Sequence, residues 1–198
     1  MAIKFQYNRT TIQQFRKQLA IREKALPILK NKETALRKEE KDTMALLEKL
    51  QSAKEELAQQ QQPFQPFWSE FPHILTIENT GIYQKKVVGI NVPEVDEVTF
   101  RLLDVSWWHY PAWVPSGITL LQKIITNDLQ VRIKEEQRSL LNTARKKTTQ
   151  KVNLYEKVQI PDYEEAIMKV SRFLEDQENI SKAAQKIVKK RKDRKVDV

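Results

Sequence analysis

A heptad repeat of apolar residues between Thr10 and Leu57 constrains the fold more than any other feature of this chain. Two series of positions, each spaced by seven residues, run through this segment, and no glycine interrupts it. Nine of their fourteen positions are apolar, namely Ile12, Leu19, Leu26 and Leu47 in one series and Phe15, Leu29, Leu36, Leu50 and Leu57 in the other. Such a narrow apolar stripe is typical of a coiled-coil seam. The sequence therefore predicts a long helix that pairs with a helix of similar length.

The ends of this first helix carry their own signals. Thr10 and Thr11 each have a glutamine three residues later, which is the spacing of a capping box, so we expect the helix to start there. Pro27 lies inside the seam and predicts a kink, because proline removes one helical hydrogen bond. The polar run 59–62, followed by Pro63, predicts the end of the helix.

The composition changes between Pro63 and Gly117. This window contains all three glycines, all four tryptophans, both histidines and six of the eight prolines. Segments 74–78, 83–92 and 98–107 are rich in β-branched and aromatic residues, with turn candidates at 79–81 and at Pro93 and Glu94. We expect a β-hairpin or small meander, and since about 50 residues form little core, it should lean on the helix ends.

A second long helix follows this window. Pro115, Ser116 and Gly117 precede an apolar run, which makes Ser116 the expected helix cap. Pro161 should bend this helix as Pro27 bends the first. Its predicted seam residues recur at spacings built from three and four: Ile118, Leu121, Ile125, Leu129, Ile133, Leu140, Leu154 and Val158.

The two seams together predict a mainly α fold. If the middle window is the turning point, antiparallel pairing sets residue 62 beside residue 118 and residue 10 beside residue 170, in a coiled-coil rod of about 80 Å. The expected domains are an N-terminal coiled-coil helix (1–62), an inserted β-containing unit (63–117) and a C-terminal coiled-coil helix with a basic tail (118–198). The tail carries Lys182, Lys186, Lys189, Lys190, Arg191, Lys192, Arg194 and Lys195.

Motifs for catalysis are missing from the sequence. The chain has no cysteine, no glycine-rich phosphate loop, and only His73 and His109, which lie 36 positions apart. No run approaches 18 apolar residues, and Met1 to Thr11 lacks the apolar core of a signal peptide. We therefore predict a protein that is not an enzyme, is not secreted by that route, and has no catalytic, cofactor-binding or metal-binding residues.

Three segments, Leu29 to Leu36, Val87 to Glu94 and Thr148 to Pro161, together resemble the D subunits of V-type and archaeal-type (V/A) ATPases. Residues Thr148 to Pro161 resemble the family's basic stretch that runs into Val-Asn and Ile-Pro on the C-terminal helix. Residues Val87 to Glu94 are similar to its central Met-Gly-Val-x-Val-Pro stretch, and Leu29 to Leu36 to Leu-Lys-x-Lys-x-x-x-Leu on the first helix. All three occur in the family's order and spacing, so the resemblance covers essentially the whole chain.

The resemblance implies a non-catalytic central rotor shaft that couples ATP hydrolysis or synthesis to H⁺ or Na⁺ transport. It implies that the terminal helices lie inside the hexamer of A and B subunits, beside a small F-like subunit, with the inserted unit near a socket subunit on the membrane rotor ring. The location would be cytoplasmic and peripheral to the membrane. Candidate partner contacts are Arg9, Arg16, Lys17, Lys189, Lys190, Arg191, Trp107, Trp108 and Trp113.

Two other functions compete with the rotor. The net charge of +9, from 35 Lys and Arg against 26 Asp and Glu, is also typical of a coiled-coil arm that binds nucleic acid. Trp107 and Trp108 with Lys85 and Lys86 resemble a base-stacking platform, although a packed core or a protein contact explains the tryptophans more simply. Acidic residues spread along the first helix dilute any continuous basic stripe. The other alternative is a coiled-coil scaffold without a specific motor role.

Overall fold

The structure, a computed structural model, describes residues 6–103 and 107–196 and confirms a mainly α fold with a small antiparallel hairpin between two long helical segments. The first segment is helix α1, and the second consists of α2 and α3, separated by a π-helical turn. The elements in chain order are α1 (Arg9–Gln61), a 3-10 helix (Gln62–Glu70), β1 (Leu75–Val87), β2 (Ile90–Leu102), a short 3-10 helix (Trp107–His109), α2 (Val114–Leu154), the π turn (Tyr155–Gln159) and α3 (Ile160–Val196).

The helix starts differ from those predicted. Asn8 caps α1, because its Oδ1 accepts a hydrogen bond of 2.6 Å from the backbone N–H of Thr11. The predicted Thr caps lie inside the helix. Helix α2 begins at Val114, so Ser116 is also an internal residue rather than the cap. Proline is tolerated in a first helical turn, where its missing N–H has no helical partner, and Pro115 uses that freedom.

The two internal prolines are accommodated in different ways. Helix α1 is continuous through Pro27. Before Pro161, the chain forms the five-residue π turn, in which the backbone N–H of Ile160 donates to the carbonyl of Tyr155. Pro161 has no N–H to donate, so the α-helical hydrogen-bond ladder is interrupted at this residue. The wider π turn lies directly before that interruption.

Contacts divide the chain into two compact units. The terminal unit comprises Met1–Asn31 and Thr148–Val198. Within it, the rings of Tyr7 and Phe173 lie 4.6 Å apart, and those of Phe15 and Tyr163 lie 5.6 Å apart. As the residue number rises on α1, it falls on α3, so the segments are antiparallel, in the register predicted from the sequence. Every side chain from residue 175 to residue 191 is exposed.

The hairpin unit comprises Lys32–Lys147. Within it, α1 and α2 are also antiparallel. The Asn127 amide donates to the carbonyl of Leu50 at 3.2 Å, and Arg145 pairs with Glu40 at 2.6 Å. The hairpin pairs β1 and β2 from Leu75 opposite Leu102 to Val87 opposite Ile90.

The hairpin turn lies at Val88 and Gly89, and the predicted turns at 79–81 and at Pro93 and Glu94 are wrong. The strands continue through both places. Gly81 belongs to a bulge, where a Cβ atom would lie 3.2 Å from the Glu97 carbonyl oxygen, so glycine permits a close backbone approach.

Two apolar clusters form the core of the hairpin unit. The first contains Ile74, Val114 and Ile118 and lies where the hairpin joins α2. The second, which we call the tip cluster, joins all three elements. Its buried members are Leu36 of α1, Val92 of β2 and Leu141 of α2, with Val87, Val88, Ile90 and Ala144 packed against them. The hairpin therefore packs against the start of α2, as expected from the sequence, and also against the middle of α1 through Leu36.

Candidate functional site

The predicted seam residues differ in burial. Phe15, Leu36, Leu47, Ile118 and Ile133 are buried. The half-buried ones are Ile12, Leu19, Leu26, Leu29, Leu50, Leu57, Leu121, Ile125 and Leu129. Leu140, Leu154 and Val158 are exposed. The first two groups cover all of the predicted positions on α1 and those on α2 up to Ile133.

On the later part of α2, the buried face differs from the predicted one. Leu141 is 2% exposed, whereas its neighbour Leu140 is 37% exposed. Adjacent helical residues point about 100° apart, so only one of the two leucines can face the tip cluster. Further along α2, Val152 is buried, whereas the predicted seam residue Leu154 is exposed. Val158 lies within the π turn.

Buried polar residues were missed by reasoning from hydrophobic periodicity. They are Thr11, Thr43, Asn127, Gln137 and Thr148. The Thr43 hydroxyl donates to the carbonyl of Glu39 at 2.8 Å, and Asn127 bonds across to α1. The available signal was positional, because Thr43 occupies a heptad position of the first seam. Asn127 specifies register, since a shifted pairing would leave its buried amide without the Leu50 carbonyl, whereas the Thr43 hydroxyl is satisfied within its own helix.

Arg22, one of the polar heptad positions, joins α1 to the π turn and α3. Its Nε donates to the Gln159 side chain at 2.6 Å, and its guanidinium carbon lies 4.6 Å from the ring centre of Tyr163 and 5.9 Å from that of Tyr155. A further nitrogen donates to Gln18 on its own helix. We call this group the Arg22 cluster. A planar guanidinium suits it, because it makes hydrogen bonds along its edge and stacks on rings through its face.

Glu94 on β2 joins the hairpin to α2. Its two carboxylate oxygens contact Lys85 at 2.9 Å and Lys134 at 3.1 Å. The hydrogen bond from Lys85, followed by the bond and charge of Lys134, lowers the pKa of Glu94 despite its partial burial. Next to it, the buried Gln137 amide donates to the carbonyl of Pro93. Two adjacent residues of one strand are thus fixed to one helix.

The predicted partner contacts also differ in exposure. Arg9, Arg16, Lys17, Lys189, Lys190 and Arg191 are all exposed. Trp108 is 97% exposed, the most of any large apolar side chain in the described residues. Trp113 is partly buried and packs against Phe67 and Phe71 at ring distances of 5.4 and 6.1 Å, so it belongs to a core. The side chain of Trp107 lies outside the described part of the chain.

Two other kinds of site are missing from the described residues. Among them, no group of histidine and carboxylate side chains is arranged to hold a metal ion. Over the same parts of the chain, no helix has the length and apolar character needed to span a membrane.

A model of the family of ATP synthase D subunits matches residues 11–190. The chain belongs to this family. The match includes both helical segments and the hairpin, and it confirms the resemblance inferred from the three sequence segments. The family assignment thus covers the paired helices, the tip cluster and the Arg22 cluster alike.

Curated relatives are named as D subunits of V-type ATP synthases. The protein from Borreliella burgdorferi is 30% identical over 125 residues, which is 62% of each chain, so this alignment spans less than two thirds of that relative. The protein from Chlamydia muridarum is 26% identical over 172 residues, covering 84% of this chain and 85% of its own. That from Chlamydia trachomatis serovar L2 is 23% identical over the same length.

Proposed function

We propose that this chain is the non-catalytic central rotor shaft of a V/A-type rotary ATPase. It transmits torque between a hexamer of A and B subunits and the membrane rotor ring, and so couples ATP hydrolysis or synthesis to the transport of H⁺ or Na⁺. The observation that carries the proposal is the family match over residues 11–190, which spans both helical segments and the hairpin. The names of the relatives support the same role.

The proposed mechanism rests on asymmetry. One chain inside a ring of pseudo-threefold symmetry cannot present the same surface to three catalytic interfaces, so each interface is biased towards a different nucleotide state. Rotation of the shaft then changes which interface is open. Nucleotide chemistry belongs to the ring, and the shaft needs no catalytic residue of its own.

A shaft must also prevent its two helices from sliding past each other. Exposed ion pairs such as Lys30–Glu156 and Lys54–Asp128 contribute little, because water and salt screen them. Buried contacts resist sliding better. Leu36 and Leu141 interlock in the tip cluster, and Asn127 bonds to a fixed backbone carbonyl of the other helix.

The proposed partners are an A/B hexamer around the terminal helices, a small F-like subunit on the shaft, and a socket subunit that receives the hairpin unit. In this assembly the chain is peripheral to the membrane. The exposed cations of α3, including Lys189, Lys190 and Arg191, suit weak and reversible contacts with acidic stator surfaces, since screened charges do not lock a moving part. Trp108, between the hairpin and α2, suits a contact driven by burial of its ring.

Reconstitution tests the proposal. The chain is co-expressed with A-, B- and F-like subunits from the same organism, and ATP turnover of the purified hexamer is measured with and without it. We expect co-purification with the F-like subunit and a changed turnover. Leu47→Asp places a charge at a buried seam position and should abolish the change, whereas Leu46→Asp, at an exposed neighbouring position, should preserve it.

Failure to bind the hexamer, or binding without any change in turnover, would contradict the shaft. The nucleic-acid alternative is checked on the same protein by a salt titration of RNA and DNA binding. Contacts to several phosphates give a steep loss of affinity with salt. We expect no such specific, steeply salt-dependent complex.

A further inference from the structure

The hairpin packs against both α1 and α2 at the tip cluster, and its base packs against α2 through Ile74 and Leu75. Val92 is buried between Leu36 of α1 and Leu141 of α2. Val87 at the end of β1, Val88 in the turn and Ile90 at the start of β2 cover the same cluster. The opposite strand behaves differently. On β1, Ile77, Ile82 and Tyr83 are exposed. The hairpin is therefore held through its turn, its base and β2, while the middle of β1 is exposed.

Few polar contacts reinforce this apolar attachment. Gln137 donates to the carbonyl of Pro93, and Lys134 forms a partly buried ion pair with Glu94. Both contacts leave from a single turn of α2 and end on adjacent residues of β2. Their loss would free the strand without removing a contact between α1 and α2.

The turn itself is strained. A two-residue hairpin turn of this kind needs positive φ at both central residues, and here Val88 has φ of 50° and Gly89 has φ of 80°. Asparagine or aspartate is the usual first residue, because a β-branched side chain is disfavoured in this conformation. Val88 adopts it while packed on the tip cluster. Contact with the helices thus stabilises a backbone conformation of Val88 that would be unfavourable in a detached turn.

Isolated two-stranded hairpins are marginally stable in water. The hairpin therefore depends on the helices, whereas the helices have their own seam and cross-links, including Asn127 to Leu50 and Arg145 to Glu40. The hairpin thus needs the helix pair, but the helix pair does not need the hairpin. A segment held by few buried contacts, next to one held by many, opens at lower free energy than the whole unit.

We propose that the hairpin is a clasp that opens from the helix pair as a separate unit, while α1 and α2 stay paired. Gln137 and the Glu94–Lys134 pair fasten it. Opening uncovers the apolar faces of Leu36 and Leu141 and lets Val88 leave its strained conformation. The clasp goes beyond the shaft proposal and does not depend on it, because it is tested on the isolated chain.

Hydrogen exchange on the full-length chain tests the clasp. Glu94→Gln keeps the shape of the side chain but removes the ion pairs, and Gln137→Ala removes the bond to Pro93. We expect Glu94→Gln to speed amide exchange in residues 82–95 about two- to threefold, the size of a partly exposed ion pair. Gln137→Ala should speed it about five- to tenfold, the size of one buried hydrogen bond, and helical residues 43–50 and 127–131 should be unchanged in both. Glu97→Gln, exposed on the same strand, is the matched control and should change nothing.

Equal acceleration in hairpin and helices would overturn the clasp, since the unit would then open as a whole. Unchanged hairpin exchange in both variants would overturn it too. A further variant, in the apolar attachment itself, should give a larger effect. Val92→Asp should leave the hairpin amides unprotected and the helical circular dichroism retained, whereas loss of the helical signal would contradict separate opening.

Discussion

The terminal unit and the hairpin unit share helix α1 but pair it with different elements. In the terminal unit, α1 faces α3 through aromatic pairs, Val170 and the Arg22 cluster, and α3 continues into a fully exposed segment. In the hairpin unit, a third element lies on the pair and closes the tip cluster from the side. Two helices alone bury a narrow seam around side chains such as Val170, whereas the added strand covers the tip cluster from a third side.

This difference predicts where the chain is stable and where it is adaptable. Leu36 and Leu141 are buried almost entirely, and large stability losses should follow their change. The terminal unit has buried contacts of its own, including Phe15 and Val170, so changes there should act locally. Four substitutions or conditions test this contrast.

Leu141→Asp should have the largest effect. It places a charge without a partner in the tip cluster, and we expect the free energy of unfolding to fall by about 4 kcal/mol. Urea denaturation followed by circular dichroism measures it. Leu140→Asp is the matched control, because that side chain is exposed, and it should cost less than about 1 kcal/mol. Equal losses would contradict the observed difference in burial between Leu141 and Leu140.

Phe15→Ala should destabilise the terminal unit by about 3 kcal/mol, because the buried ring loses its edge contact with Tyr163. The effect should remain local. Hydrogen exchange should rise around residues 11–19 and 163–170 while the hairpin unit keeps its protection, and Gln14→Ala, at an exposed position, is the control. Equal rises in both units would contradict the division between them.

Arg22→Lys should cost about 1 kcal/mol although the charge is kept. Lysine cannot bond to Gln159 along one edge and lie flat on the Tyr163 ring at the same time. Thermal unfolding of this variant is compared with that of Arg16→Lys, whose side chain is exposed. If both variants unfold like the parent chain, the Arg22 cluster contributes nothing beyond charge.

Acid should weaken the hairpin unit slightly. The pKa of Glu94 is lowered in the folded chain by Lys85 and Lys134, so its contribution is complete above the ordinary glutamate pKa of about 4.3 and is lost as the pH falls through the lowered value. We expect about half a kcal/mol, because the pair is partly exposed. The difference in unfolding free energy between the parent and Glu94→Gln should shrink at low pH, and a constant difference would contradict the assignment.

The antiparallel register was predictable from sequence, since the two apolar series have similar lengths on either side of one compact insertion. Tyr7 beside Phe173 and Asn127 beside Leu50 agree with it. The hairpin was predictable in kind from its β-branched residues. Its turn was not, because Val88 is a poor turn residue and only its packing on the tip cluster explains its place there.

The sequence alone did not determine which face of the later part of α2 is buried. Two adjacent leucines at 140 and 141 fit an apolar face equally well, and the hairpin decides between them by contacting Leu141. Likewise, hydrophobic periodicity cannot identify Asn127 or Gln137, since their burial depends on carbonyl groups of other elements. The Arg22 cluster depends on the π turn, which no local signal except the nearby Pro161 indicates.

Observation of single complexes tests the shaft most directly. The chain has no cysteine, so Gln84→Cys, at an exposed position of β1, offers one attachment point for a bead. With the A/B hexamer fixed to a surface and ATP supplied, we predict rotation of the bead in one direction, in steps of about 120° set by the threefold ring. A bound bead that stays still while the same complexes turn over ATP would contradict the proposal that this chain is the rotor.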